Sequence, residues 1–152
     1  DIVQDKNIRI RVAGICLDKK NRLLLVNHQK NGKSYWLLPG GGVEYGETLH
    51  EALKREFMEE MTLKIKKMGE LIFINDSIYP GGKRHVINMY FKVEVSGILK
   101  PNSDHILKNA VYMEKSEFKK ILFYPDIKSD IIRMWSDAFC KQAGYIKTRW
   151  KE

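Results

Sequence analysis

Glu56, Glu59 and Glu60 fall at i, i+3 and i+4, a spacing that sets three carboxylates side by side if the segment is helical. Like charges held that close repel one another, and partial burial makes each ionised form costlier, so the arrangement calls for a cation. Carboxylate oxygens suit a hard ion, Mg²⁺, Mn²⁺ or Ca²⁺, and the segment lacks the cysteine and histidine set that zinc prefers. Just upstream, Gly40, Gly41 and Gly42 follow Leu37, Leu38 and Pro39. Consecutive glycines permit turns and close backbone approaches that a side chain blocks, and a tight loop is expected there.

A helix must hold these acids. Thr48 with Glu51 three residues later has the form of a capping box, which predicts a helix from near Thr48 to about Met61. Leu49, Ala52, Leu53, Phe57 and Met61 form its apolar stripe, and the glutamates project along the same side or its edge. Alone, the triplet also fits a solvated acidic helix face; the glycine run beside it favours a site.

With Gly41, then Glu47, then Arg55-Glu56-Phe57-Met58-Glu59-Glu60-Met61-Thr62-Leu63, residues 41–63 resemble the Nudix box, whose pattern is GX5EX7REUXEEXGU with U apolar. Every charged position is filled, and Thr62 stands where the pattern has glycine. A β-branched residue adopts the left-handed turn after a helix poorly, so the exit from the helix is the feature placed at issue. The resemblance implies an α+β fold, a Nudix-like α/β/α sandwich with a mixed β-sheet. It implies hydrolysis of a pyrophosphate bond in a nucleoside diphosphate derivative, with Mg²⁺ or Mn²⁺ held by Glu56, Glu59, Glu60 and the Gly40 carbonyl. Arg55 would brace the glutamates and Glu47 would hold Arg55; on its own, Glu47 also reads as an acid placed by the helix dipole. The general base is Glu60 or a later carboxylate such as Asp104, with Glu60 preferred over it and over Glu44.

The same resemblance attaches weight to residues 75–85, where Tyr79 and Pro80 are adjacent. In the family a proline near this place goes with ADP-ribose and a tyrosine with dinucleoside polyphosphates. Chemically, Tyr79 can stack on a base while Lys83 or Arg84 reaches a phosphate, although Pro80, Gly81 and Gly82 also read as a plain hairpin tip. His28, His85 and His105 have no partner legible in the sequence and receive no role.

The remaining elements are coarser. Residues 8–17 read as a strand, 18–21 as a polar turn and 23–26 as the hairpin partner; residues 36–38, 63–65, 70–74, 86–95 and 111–113 read as further strands. Residues 115–122 and 126–138 read as helices, the second with Ile127, Ile131, Ile132, Trp135 and Phe139 as a core stripe.

The 152 residues suit one domain spanning 1–152, and Cys16 and Cys140 are expected as core thiols without metal spacing. No span or signal pattern is visible, so a soluble cytoplasmic protein with no membrane partner is expected. A net charge of +8 attracts anions, nucleotide or RNA, without choosing between them. Residues 141–152 interleave Tyr145, Lys147, Arg149 and Trp150 as single-strand binders do; packing of those aromatics on the domain is the preferred reading. A small nucleotide is the expected partner, with an RNA 5′ pyrophosphohydrolase, a nucleoside triphosphate pyrophosphatase and a catalytically silent binding module as alternatives. The oligomeric state, homodimer or other, is not legible.

Overall fold

The apolar residues of the first two strands lie on both of their faces, which is the pattern of strands buried in the middle of a layer. In the computed structural model, which describes residues 6–103 and 106–149, β1 (Arg9–Ile15) and β2 (Leu23–Lys30) are indeed central strands, but of different sheets. The expected hairpin between them reduces to a single bridge, Leu17 with Leu23. Both edges of β1 are taken by β4 (Gly40–Gly42) and β6 (His85–Ser96), and both edges of β2 by β3 (Lys33–Leu37) and β7 (Leu107–Met113). Two central strands with full ladders have no edge left for each other.

The larger sheet runs β4-β1-β6-β5-β8, with β5 at Lys64–Ile78 and β8 at Gly144–Arg149; β1/β6 and β5/β8 are parallel and the other pairs antiparallel. The smaller, β3-β2-β7, is antiparallel throughout. One core cluster lies under α1 (Leu49–Met61), and the other under α2 (Lys115–Phe118) and α3 (Lys128–Trp135). The result is the expected α/β/α sandwich with a mixed sheet, its middle layer split in two.

Several boundaries differ from the sequence reading. The two short strands expected at 63–65 and 70–74 are one strand, β5, whose register shifts at Ile65/Lys67, Met68/Leu71 and Leu71/Phe73 broke the alternation. It continues to Ile78, so the loop expected at 75–85 shrinks to a turn around Pro80–Gly82. The helix expected at 115–122 ends at Phe118, and that at 126–138 covers Lys128–Trp135, with the stripe residues Ile131, Trp135 and Phe139 fully buried. Cys16 is buried, and burial pushes its thiol up to about 11, whereas Cys140 is exposed. The tail is structural through its backbone, as strand β8 on β5; Tyr145 is 62% exposed, and Trp150 lies outside the described residues. Among the described residues no helix is long and apolar enough to cross a membrane.

Candidate active site

Helix α1 is fixed at both ends and along one side. The capping box forms, with Thr48 Oγ1 accepting from the Glu51 N–H at 3.1 Å and Glu51 Oε1 accepting from the Thr48 N–H at 3.2 Å. Leu53, Phe57 and Met61 are fully buried, each contributing on the order of 2 kcal/mol of apolar burial. At the exit Thr62 keeps the left-handed turn, φ 60°, despite its branched side chain. Its Oγ1 donates to the Lys100 carbonyl, while Asn102 donates from its backbone N–H to the Glu60 carbonyl and from Nδ2 to the Glu59 carbonyl. The turn that the substitution placed at issue is retained, with side-chain hydrogen bonds offsetting its strain.

A clamp on Arg55 organises the box. Its Nη2 and Nε donate to the two oxygens of Glu47 at 2.6 and 3.0 Å, its Nη1 to Glu56 Oε1 at 2.8 Å and Glu59 Oε2 at 3.4 Å, and its Nη2 to the Gly42 carbonyl at 3.1 Å. Hydrogen bonds from Arg55, then from the Glu44 N–H, hold the Glu47 carboxyl down to about 2. The same bonds raise the Arg55 guanidinium above its ordinary value, so both stay charged. The pairing inferred for Arg55 and Glu47 is therefore a direct two-pronged contact.

The glycines form an edge strand, β4, instead of the expected tight loop, and each is small for a different reason. A Cβ on Gly40 would lie 2.0 Å from the Val12 carbonyl oxygen, one on Gly41 2.4 Å from the Glu56 carboxylate, and one on Gly42 3.0 Å from Arg9 Nη2. Successive residues of a strand face opposite sides. Gly41 thus admits Glu56 from the helix side and Gly42 admits Arg9 from the other, with no side chain between them.

The donor set of Glu56, Glu59, Glu60 and the Gly40 carbonyl is all oxygen and suits Mg²⁺ or Mn²⁺. Arg55 balances one charge of the set Glu47, Glu56, Glu59 and Glu60, and Oε2 of Glu60 is closed off from solvent. Among the described residues Glu47, Glu56 and Glu59 close on Arg55, and no three acidic, cysteine or imidazole groups are gathered as a metal cluster. The chemistry of the set fits a hard divalent ion. Asp104 and His105 lie outside the described residues.

Beyond β4 a cleft of about 480 Å³ opens at the end of β1 and β2 remote from their bridge. Arg9, Arg11, Tyr35, Tyr79, Arg84 and Tyr124 line it. Two of the inferred substrate residues are there, Tyr79 and Arg84, with the guanidinium over the ring at 5.0 Å; Lys83 is exposed on the turn and does not line the cleft. His28 lines it too, edge-on to Tyr35, whereas His85 pairs with Asp76 at 2.6 Å, which also accepts from the Tyr145 hydroxyl at 2.8 Å. Arg9 and Arg11 were missed, although one signal was present: they alternate in β1 onto the face that Ala13 and Ile15 give to the core.

A sandwich of this topology, with a carboxylate helix clamped to a glycine edge strand, is the frame of a Nudix domain. The chain belongs to the Nudix family: it matches the NUDIX domain over residues 7–133. It is 36% identical over 116 residues to the ADP-ribose pyrophosphatase of Methanocaldococcus jannaschii, covering 75% of this chain and 66% of that one. With the RNA pyrophosphohydrolase of a Wolbachia from Brugia malayi it shares 27% identity over 161 aligned positions, covering 87% and 100%. The NUDIX hydrolase of Nitrosomonas europaea has the same fold, with a TM-score of 0.76 at 17% identity, over 90% of this chain and 94% of that one. The chain spans 66% and 53% of the lengths of the curated relatives that it matches at 36% and 31% identity.

Proposed function

We propose that the protein hydrolyses a pyrophosphate bond in a nucleoside diphosphate derivative such as ADP-ribose, a nucleotide sugar or a dinucleoside polyphosphate. The observation that carries this reading is the wall of bare glycine between an acidic helix and a basic, aromatic cleft: Gly42 is touched by Arg55 on its carbonyl and by Arg9 on its Cα side. A phosphate chain lying across that wall meets carboxylates on one side and guanidinia on the other. The aromatic rings of Tyr35, Tyr79 and Tyr124 offer stacking surfaces for a base.

Glu56, Glu59, Glu60 and the Gly40 carbonyl would hold Mg²⁺ or Mn²⁺. Bound there, the ion neutralises phosphate oxygens and lowers the pKa of water at the site. Arg55 holds Glu56 and Glu59 at fixed distance, and Glu47 holds Arg55. Glu60 takes the proton of the attacking water on its carboxylate, the role for which it is preferred over Asp104 and Glu44. Tyr79 and Arg84 orient the substrate from the cleft; Lys83, outside the lining, serves at most its rim. Retention of every charged residue of the box speaks against a catalytically silent binding module. The archaeal relative's name supports the ADP-ribose class. The RNA relative's name supports a second reading, a 5′ pyrophosphohydrolase, which the cations Lys30 and Lys33 at the cleft favour.

A hydrolysis screen with Mg²⁺ across ADP-ribose, nucleotide sugars, dinucleoside polyphosphates, nucleoside triphosphates and triphosphorylated RNA tests the proposal. Activity on a diphosphate derivative, abolished by chelation and by Glu59→Gln or Glu60→Gln, is expected. A tenfold preference for the RNA, about 1.4 kcal/mol, selects the second reading, and turnover that survives exhaustive chelation overturns both.

A further inference from the structure

Arg9, Arg11 and Arg84 come together in the cleft from β1 and from the turn before β6, whose parallel register pairs Arg9 with Val86 and Arg11 with Asn88. Among the described residues no carboxylate forms an ion pair with any of the three. The crowding registers on Arg9, which burial and then the charges of Arg11 and Arg84 push below its ordinary value. Glu56 offsets part of this on Arg9, but guanidinia gathered in one concavity still repel, so something must hold them in place.

Two buried asparagines do so for one of the three, Arg11. Asn75 and Asn88 are 0% and 3% exposed, out of reach of water, so their amides must find partners inside the protein. Asn75 Nδ2 donates to the Ile146 carbonyl at 3.1 Å and to Thr148 Oγ1 at 3.0 Å, both on β8. A carbonyl only accepts, so the amino group of Asn75 faces β8 and its oxygen faces Asn88, whose Nδ2 donates to it at 3.3 Å. The oxygen of Asn88 is then turned toward the cleft, where Arg11 Nη1 donates to it at 3.4 Å. The polarity of a backbone carbonyl in the C-terminal strand thereby decides that Asn88 shows the cleft an acceptor, which fits a guanidinium and not a phosphate. Among the described residues no other hydrogen bond engages Arg11, which leaves its remaining donors to the cleft in a fork that matches phosphate geometry.

We propose that Arg9, Arg11 and Arg84 form an anion subsite, with Arg11 aligned from β8 through Asn75 and Asn88, that takes a phosphate of the nucleotide other than those held at α1. The subsite deepens the function proposed above, since it favours substrates whose phosphate chain extends past the scissile bond, dinucleoside polyphosphates or 5′-triphosphates, over ADP-ribose. Asn75 and Asn88 are positioning residues that act through Arg11.

Calorimetric titration of the full chain in chelator, with inorganic tripolyphosphate as probe and adenosine as neutral control, separates this subsite from the metal-dependent activity. Tripolyphosphate is expected to bind, more weakly as salt rises, with Arg11→Ala and Arg84→Ala each costing about tenfold and Glu59→Gln costing nothing. Asn75→Ala is expected to weaken binding in the wild type and to add nothing in the Arg11→Ala background, an outcome that general destabilisation does not produce. If that variant melts near the assay temperature, the titrations are repeated at a lower temperature at which its melting curve shows it folded, in both backgrounds. Absence of tripolyphosphate binding to the wild type, or wild-type affinity in both Arg11→Ala and Arg84→Ala, overturns the subsite. An equal loss from the asparagine changes in both backgrounds overturns the alignment. Hydrolysis that fails while tripolyphosphate binding persists counts against the proposed reaction alone, and preference for ADP-ribose over dinucleoside polyphosphates and 5′-triphosphates counts against the subsite's role in selection.

Discussion

Substituting Gly41 with alanine should remove activity while sparing the fold. The added Cβ would sit 2.4 Å from Cδ and Oε1 of Glu56, against an ordinary contact that begins at 3.4 Å, so the carboxylate must retreat by 3.4 − 2.4, about 1 Å. It cannot retreat without loosening its 2.8 Å bond to Arg55. A misplacement of that size costs about 100-fold in kcat, about 2.7 kcal/mol. Gly41 does not adopt the left-handed region and the obstruction is a side-chain end, so the melting temperature should move little. Its neighbours supply the controls. At Gly40 the Cβ meets backbone, the Val12 oxygen at 2.0 Å, and alanine there should cost about 3 kcal/mol or more, roughly 6–12 °C in Tm. At Gly42 it meets the movable end of Arg9, so the change should fall on KM through the cleft while kcat at saturation stays within about threefold. Steady-state kinetics at saturating substrate, Mn²⁺ affinity by electron paramagnetic resonance and calorimetric melting read the three variants. Wild-type kcat and Mn²⁺ affinity in Gly41→Ala, or equal damage from Gly42→Ala, would refute the reasoning.

Arg55→Lys keeps the charge and loses the fork that spans Glu47, Glu56 and the Gly42 carbonyl; kcat should drop ~10- to 100-fold and stability by about 1–3 kcal/mol, read by kinetics and urea titration. The Glu47 carboxyl, depressed to about 2 from 4.5, lends stability that is fully present above about pH 4.5 and is lost as pH falls toward 2. Melting temperature followed over that window should therefore fall less steeply in Glu47→Gln than in the wild type, and parallel curves would contradict the clamp. Removal of residues 144–152 strips β8 from β5 and leaves the buried Asn75 amino group without either acceptor, which alone costs about 1–3 kcal/mol; an unchanged Tm would show that the strand is not structural.

Residues 41–63 were legible because their relations are local. A helix fixes the angle between Glu56, Glu59 and Glu60 by spacing alone, a capping box declares its own start, and the predicted span of about 48–61 matches α1 at Leu49–Met61. Layer order followed as well, since strands and helices with these apolar patterns have few ways to cover one another. Partnership between strands is another matter: residues 8–17 and 23–26 look like a hairpin until β4, β6, β3 and β7 compete for the same edges, and only the packed chain decides that contest. The glycines read as a loop because nothing nearby in sequence says that Glu56 and Arg9 will press on them from opposite sides. The cleft draws Arg9, Arg11, Tyr35, Tyr79, Arg84 and Tyr124 from strands and turns far apart in the chain, and the line from Ile146 through Asn75 and Asn88 to Arg11 crosses four strands of the larger sheet, β8, β5, β6 and β1. Those contacts depend on register, where a slip of one residue turns every side chain to the other face, and register is set by tertiary packing.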